Sequence, residues 1–368
     1  MRAPVFMLLM GFLLPAQPAR FRGKPSYPVD WVNPLMGTQS TYAFSQGNTY
    51  PAIALPWGMH FWSPQTGPMG NGWLYQYDSL QIRGFRQTHQ PSPWINDYGP
   101  FSLMPITGPA RFSEEERKSW FSHKTERARP YCYSVYLGDA DAWVEVVPTE
   151  RSAIFRITYP PDQEAHLVVD PCDGGSFVRV DADKRRVEGY SSKNSGGVPR
   201  GFRNTFVMTF DRPVTAVRTW SQGAWVSGTE AQGDHVGTVL RFDTRQERVV
   251  TVRVASSFIG SGQAWLNLER EQGGQSFEQL LEAARACWNR ELGRIQVEGG
   301  TLDQKRTFYS CLYRVLLFPR KFHETNRAGE VVHYSPFNGK ICPGYLYTDN
   351  GFWDTFRAVY PFLTVMYP

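Results

Sequence analysis

The chain has 368 residues, 41% of them hydrophobic, and a formal net charge of +5 at neutral pH. That length provides for one large domain and part of a second. Its positive excess is diffuse: the densest runs, Lys184-Arg185-Arg186 and Arg117-Lys118, both have acidic neighbours, so a solvated surface is expected and no nucleic-acid partner.

Residues 1–19 read as a signal peptide. Arg2 supplies the positive start, Val5 to Leu14 the apolar stretch, and Ala16 and Ala19 the small residues before a cleavage site. The stretch is too short to span a bilayer as a mature helix. No membrane span is expected, and the mature protein should be exported, either secreted or periplasmic.

From about Trp31 to Phe258 the chain reads as strands. Trp143 to Val147 and Ala153 to Tyr159 are short β-branched and aromatic runs, and similar ones follow at His166 to Val169, Asn204 to Phe210, Thr238 to Phe242 and Val249 to Val254. Turn chemistry separates them at Tyr159-Pro160-Pro161-Asp162, Asp173-Gly174-Gly175 and Ser195-Gly196-Gly197. Short strands with turns at this spacing predict an antiparallel β-sandwich.

Near Ser276 the period changes. Phe277, Leu280, Leu281, Ala284, Trp288, Leu292 and Ile295 follow the spacing of one helix face, and Ser276 with Gln279 forms a capping box. Gly299-Gly300 ends that helix, and Thr301 with Gln304 starts another, whose face carries Phe308, Cys311, Leu312, Val315 and Leu316 before Pro319. A third helix is predicted from Asp349 or Asn350, bending or ending near Pro361. Phe352, Phe356, Val359, Phe362 and Leu363 find nothing in this sequence to close around them, so a truncated product, or a chain completed by a partner, is expected.

The five cysteines (Cys132, Cys172, Cys287, Cys311 and Cys342) show no C-x-x-C spacing and are odd in number, against a zinc site or a full disulfide framework. Cys287 and Cys311 fall on apolar helix faces and are expected to be small core residues. His60, His123, His166, His235, His323 and His333 lack metal-ligand spacing and receive no role. Aromatics are the unusual feature, at 15% with 12 Trp and 18 Tyr. Such side chains fill cores, and their flat apolar faces also match the C–H face of a pyranose.

Three stretches resemble glycoside hydrolase family 92, whose members are mostly exo-acting α-mannosidases. The first is Val32-Asn33-Pro34-Leu35-Met36-Gly37-Thr38, continued by Gly47-Asn48-Thr49-Tyr50-Pro51-Ala52-Ile53-Ala54-Leu55-Pro56-Trp57-Gly58-Met59. The second is Gly84-Phe85, Thr88-His89 and Asp97-Tyr98-Gly99, leading into Leu103 to Gly108. The third is Phe352-Trp353-Asp354-Thr355-Phe356-Arg357-Ala358, preceded by Tyr347-Thr348. The resemblance implies an N-terminal β-sandwich, galactose-mutarotase-like, then a linker helix and the first helices of an (α/α)6 barrel. It divides the chain into a sandwich domain over 20–270, a linker helix over 271–300 and the start of the barrel over 301–368. It also implies mannose-containing glycans as substrate, a calcium ion that helps distort the mannose ring, and hydrolysis with inversion. The chain departs from the family at Asn48, where His is frequent, and at Gln90-Pro91-Ser92-Pro93-Trp94-Ile95-Asn96, where a Gly/Cys-rich loop is frequent.

Inversion needs two carboxyl groups about 6.5–9.5 Å apart, one acid and one base. Asp349 and Asp354 are the best placed, but five residues on a helix turn through about 140°, so they should point apart. In the family both groups come from later in the barrel, so no catalytic residue is expected here, and the calcium ligands should lie mostly outside as well, since no oxygen-ligand loop is present. Sugar recognition remains. Asp354 can accept hydrogen bonds from two adjacent hydroxyls, with Trp353 packing nearby. His89 and Asp97 belong to a sandwich loop expected at the domain interface, although such an Asp can equally satisfy backbone donors. Trp94, between prolines, is a candidate platform for the leaving-group sugar. The competing reading is a non-catalytic carbohydrate-binding β-sandwich module, or a subunit completed by a separate chain; the helices after Ser276 count against the module.

Overall fold

The computed structural model describes residues 27–39, 49–70, 72–162 and 164–368. The predicted signal peptide and the Gly47-Asn48 pair lie outside them. Strands dominate up to Ser257 and form two large antiparallel sheets. One has seven strands in the order Phe61–Gln65, Gly84–Thr88, Phe101–Thr107, Ala165–Asp170, Val236–Phe242, Ala216–Ser221 and Ala224–Val226. The other has nine: Glu230–Gly233, Ser176–Asp181, Arg186–Ser191, Asn204–Phe210, Val249–Ser257, Ser152–Thr158, Ala142–Pro148, Cys132–Leu137 and Arg127–Arg129. A one-turn helix, α1 (Glu114–Arg117), capped by Ser113, interrupts the strand region.

The alternation of the strands turns apolar side chains inward, and the two inner faces meet. Trp62 of the first sheet packs edge-on against Phe155 of the second at 4.9 Å, and Phe101 stacks on Phe206 at 4.3 Å. Both pairs are fully buried. The result is the predicted antiparallel sandwich followed by helices.

The helical region begins earlier than the spacing implied. Helix α2 (Ser261–Gln272) precedes the Ser276 start and lays Ala264 and Leu268 against Val207 and Ala255 of the nine-stranded sheet. Its inward side is otherwise polar, with Asn267 and Gln272 buried, which is why its apolar period is faint in the sequence. Helix α3 (Phe277–Leu292) starts on the expected capping box of Ser276 and Gln279, and α4 (Leu302–Val315) on that of Thr301 and Gln304. The last two helices are short: α5 (Phe352–Thr355) and α6 (Val359–Met366). The break between them falls before Pro361, not at it. Pro361 is the third residue of α6, where a backbone N–H has no partner to lose within the helix.

A second core joins helices to sandwich through the N-terminal segment. Val29, Val32, Tyr50, Ala52 and Ala54 are buried among Leu280, Trp288, Leu312, Tyr313 and Leu316. Only Ile53 of this extended segment bridges a strand, exchanging bonds with Trp62, and helix side chains supply donors to the carbonyls on either side. Trp288 donates to the Ala54 carbonyl (2.7 Å), Tyr313 to that of Ala52 (2.5 Å), and Arg314 to those of Tyr50 (2.9 Å) and Pro34 (2.7 Å). Residues 29–34 and 50–54 therefore serve as mortar between the two parts of the chain.

All five cysteines are free. Cys132 and Cys172 are buried, but Cys311, expected in the core, is exposed, and Cys287 is half-buried. On α4 the buried positions are Tyr309, Ser310, Leu312 and Tyr313, so the true apolar stripe runs one position away from Cys311.

Candidate functional site

Between the strands Gly84–Thr88 and Phe101–Thr107 the chain makes a loop that carries three of the predicted site residues. Asp97 holds it together. Its carboxylate accepts from the backbone N–H groups of His89 (2.8 Å) and Tyr98 (2.9 Å) and from the Thr88 hydroxyl (2.7 Å), and Arg86 lies 3.4 Å away. Both charged side chains are almost fully buried. Such a carboxylate does what a short strand ladder would otherwise do: it satisfies the donors of a tight turn.

His89 is fully buried. Its Nδ1 faces the Tyr98 carbonyl at 2.6 Å, which can only accept, so that nitrogen carries the proton. Its Nε2 is then free to accept from His60 Nδ1 at 2.8 Å, and His60 Nε2 meets the Ser256 hydroxyl at 2.7 Å. Burial, reinforced by the charge of Arg320, pushes both imidazoles well below the ordinary histidine range. His60 thus has a structural partner that its sequence spacing did not suggest.

The loop's tip is open. Trp94 is 61% exposed, with its ring edge-on to the buried Trp73 at 5.1 Å. One cavity of about 330 Å³ lies against it, lined among others by Tyr50, Phe61, Pro93, Trp94, Arg314 and Phe318. A second of similar size takes the other residues of the loop, including Arg86, Gln90, Asn96 and Asp97, together with Lys193 and Asn194.

Asp354 and Trp353 lie on α5, and both are exposed. Among the described residues no hydrogen bond or ion pair engages the Asp354 carboxylate, and it does not pair with Arg357, whose guanidinium rests over Trp353 and Phe356. Gly351 makes room for it: a Cβ there would come within 2.7 Å of Asp354 Oδ2. Asp349, the other carboxylate considered, is not helical. It sits at φ +63°, and its Oδ2 accepts from the Tyr98 hydroxyl (2.5 Å) and from the buried Arg320 guanidinium.

The structure therefore joins His89 to Asp97 directly and reaches the Asp354 segment through Tyr98, Asp349 and Arg320. No described hydrogen bond or ring contact links Trp94 to Asp354. Arg320 stands in the sequence as one basic residue beside Lys321 in a two-residue strand; the signal for its role is proximity in space and not in the chain.

Among the described residues no group of three or more His, Cys, Asp or Glu side chains could hold a metal ion. The acids near the loop are already committed, Asp97 to N–H donors and Asp349 to Arg320. These residues do not fit calcium. Among the described residues no helix is long and apolar enough to cross a membrane.

Comparison with known proteins agrees in order along the chain. Residues 31–257 match the glycosyl hydrolase family 92 N-terminal domain, and residues 263–368 match the family 92 catalytic domain. A family 92 inverting mannosidase from Bacteroides thetaiotaomicron is 49% identical with a TM-score of 0.90, over 93% of this chain and 46% of its own. A second α-mannosidase of that organism, solved with mannoimidazole, is 27% identical with a TM-score of 0.80, over 92% and 46%. An uncharacterized secreted glycosidase of Arthroderma benhamiae is 24% identical over 87% of this chain and 45% of its own length. The chain spans about half the length of these relatives.

Proposed function

Because the chain belongs to glycosyl hydrolase family 92, we propose that it is the N-terminal portion of an exported glycosidase that releases terminal α-linked mannose from N-glycans or mannans by inverting hydrolysis. The observation that carries this reading is the 49% identity and shared fold with an inverting mannosidase across nearly the whole chain. In this reading the sandwich covers 20–270, the linker helix 271–300, and 301–368 opens an (α/α)6 barrel. Export to the periplasm or medium follows from the charged and apolar start at residues 1–19, and the Arthroderma relative is described as secreted.

The residues divide the labour as their surroundings allow. Asp354, unpaired and exposed, accepts hydrogen bonds from two hydroxyls of the terminal mannose, and Trp353 offers it an apolar face. Trp94 receives the leaving-group sugar over its open face. His89 and Asp97 keep the loop in the shape that presents it. General acid and base come from outside this chain in this reading, as the family resemblance implies; Asp97 and Asp349, engaged by N–H or cationic partners, are not offered for that role. The calcium of the family is bound by oxygen ligands that these residues do not provide.

Mannose release, measured with calcium and with EDTA, tests this on the 368-residue chain and on one extended by its downstream coding sequence. Calcium-dependent release from the extended chain alone is expected. Release by the 368 residues themselves would place the acid and base within them and overturn that part of the assignment.

A further inference from the structure

We propose that Arg320, Tyr98 and Asp349 form a polar latch that holds the segment bearing Trp353 and Asp354 against the sandwich loop, making Tyr98 and Asp349 positioning residues for sugar recognition. The functional half of this statement rests on the mannoside reading above; the structural half does not.

The argument starts from what fails to hold α5. A four-residue helix cannot sustain itself, since nucleation alone costs more than its few hydrogen bonds return. Packing does not rescue it. None of its residues is buried, Phe352 is 68% and Trp353 74% exposed, and α6 has no buried residue either. On the approach, Tyr347–Thr348 pairs with Arg320–Lys321 over only two residues. Leu346 before it and Phe362 and Tyr367 beyond it pack partly against the neighbouring cores, but α5 and the residues just ahead of it need a further hold.

Arg320 is that anchor. Its side chain is wholly buried, and its guanidinium donates to the His89 carbonyl (2.6 Å), to the Tyr98 hydroxyl (3.0 Å), to the Met59 carbonyl (3.3 Å) and to Asp349. The Tyr98 hydroxyl donates in turn to the same Asp349 oxygen, at 2.5 Å. Tyr98 belongs firmly to the sandwich: its N–H goes to Asp97, its ring stacks on His89 at 4.8 Å, and Phe202 and Phe258 flank it. One carboxylate oxygen therefore receives a donor from the sandwich loop and a donor from the strand leading out of α4's C-terminal turn. The side chain of Asp349 is the only one of the latch from the α5 side.

Two further features mark the junction. Asp349 keeps a left-handed backbone, a conformation that Asp tolerates better than most residues but still disfavours, and the buried ion pair offsets that cost. The next residue, Asn350, has its side-chain N–H group buried without a partner, so the segment is placed by Asp349 and not by its neighbour. From that fixed point the chain runs through Gly351 to Asp354.

Amide hydrogen exchange on the 368-residue chain tests the latch, with mannoimidazole affinity measured in parallel on the chain extended by its downstream coding sequence. Asp349→Asn keeps the shape and removes the charge. Asp349→Gly removes the carboxylate while suiting the left-handed backbone, so it separates the bond from the strain. Tyr98→Phe removes one donor only. All three should raise exchange over residues 346–358 by tenfold or more and leave the strands Phe61–Gln65 and Asn204–Phe210 unchanged. Asp354→Ala should abolish mannoimidazole binding with no change in exchange, whereas the latch variants should weaken binding in proportion to their loosening. Unchanged exchange in Asp349→Gly and Tyr98→Phe would overturn the latch whatever the sugar does. Raised exchange with no sugar response in any chain would leave the latch standing and sink the mannoside reading.

Discussion

The indole nitrogen of Trp288 donates to the carbonyl oxygen of Ala54 at 2.7 Å, a bond that spans 234 residues and ties α3 to the run between Val32 and Met59. The ring is fully buried in the core shared by helices and sandwich. Trp288→Phe keeps most of the bulk but strands a buried carbonyl, and a loss of about 1–3 kcal/mol is expected. Trp288→Ala adds a cavity and should cost about 3–5 kcal/mol. Urea unfolding of the three chains checks both values, and equal loss in the two variants would mean that the bond contributes and the packing does not.

A pH dependence follows from His60 and His89. Burial comes first and the charge of Arg320 second in depressing both imidazoles below their ordinary 6.5; Arg151 adds to this at His60, and His60 and Arg86 at His89. The unfolded chain thus binds protons below about pH 6.5 that the folded chain refuses. Stability is full above that pH and declines as pH falls below it, by up to about 1.4 kcal/mol per pH unit for each ring. His235 works in the opposite sense: burial lowers it, but its bond to Asp170 raises it overall, so its contribution is present at low pH and lost as pH rises through its folded value. His89→Gln should remove one ring's worth of slope between pH 6.5 and 5 in denaturation midpoints. An unchanged slope would show that His89 titrates normally.

Why some of this was legible in the sequence and some was not is a matter of range. Ser276 with Gln279 and Thr301 with Gln304 act within three residues, so the starts of α3 and α4 could be placed to the residue, whereas α3 ends at Leu292 and not at Gly299-Gly300, and α4 at Val315 ahead of Pro319. The strand Asn204–Phe210 was equally plain, because its apolar run is bounded by local turn chemistry. Helix α2 was missed because its buried side is short and partly polar, with Asn267 and Gln272 tucked inward to bond Ser256, Glu324 and Ala153. Cys311 was misplaced because a periodicity argument fixes a stripe only to within one position. For the site, the pattern around Asp97 named the loop but not its wiring. Arg320 meets Tyr98 across 222 residues, and no spacing rule reaches that far.

Thiol reactivity should sort the cysteines by burial. Burial pushes the Cys132 thiol up to about 12 and that of Cys172 higher still, while Cys311 is exposed. In a folded chain at pH 8, the fastest labelling by a soluble disulfide reagent is expected from Cys311, ahead of the half-buried Cys287 and Cys342, and Cys311→Ser should remove that fastest phase. Cys132 and Cys172 should react only after unfolding. Fast labelling of Cys172 in the native chain would mean that the turn between the strands Ala165–Asp170 and Ser176–Asp181 opens locally.

The contrast between Asp97 and Trp94 separates holding the loop from using it. Asp97 and Arg86 are 6% and 4% exposed, and removing the carboxylate leaves a buried guanidinium unpaired with two loop N–H groups unsatisfied. Asp97→Ala should therefore cost about 3–5 kcal/mol in stability, with Asp97→Asn recovering part of the N–H bonding but not the charge. Trp94 gives up little on truncation, because its outer face meets solvent and its inner edge only Trp73. Trp94→Ala should leave stability within about 0.5 kcal/mol of the parent. If its face receives a sugar, the same change should weaken binding of a di-mannoside by about threefold to tenfold, the worth of one aromatic contact, while leaving that of a single mannose unit unchanged. Equal loss for both ligands would move Trp94 from the leaving-group side to the terminal sugar. Loss of stability with no loss of binding would reduce it to a packing residue beside Trp73.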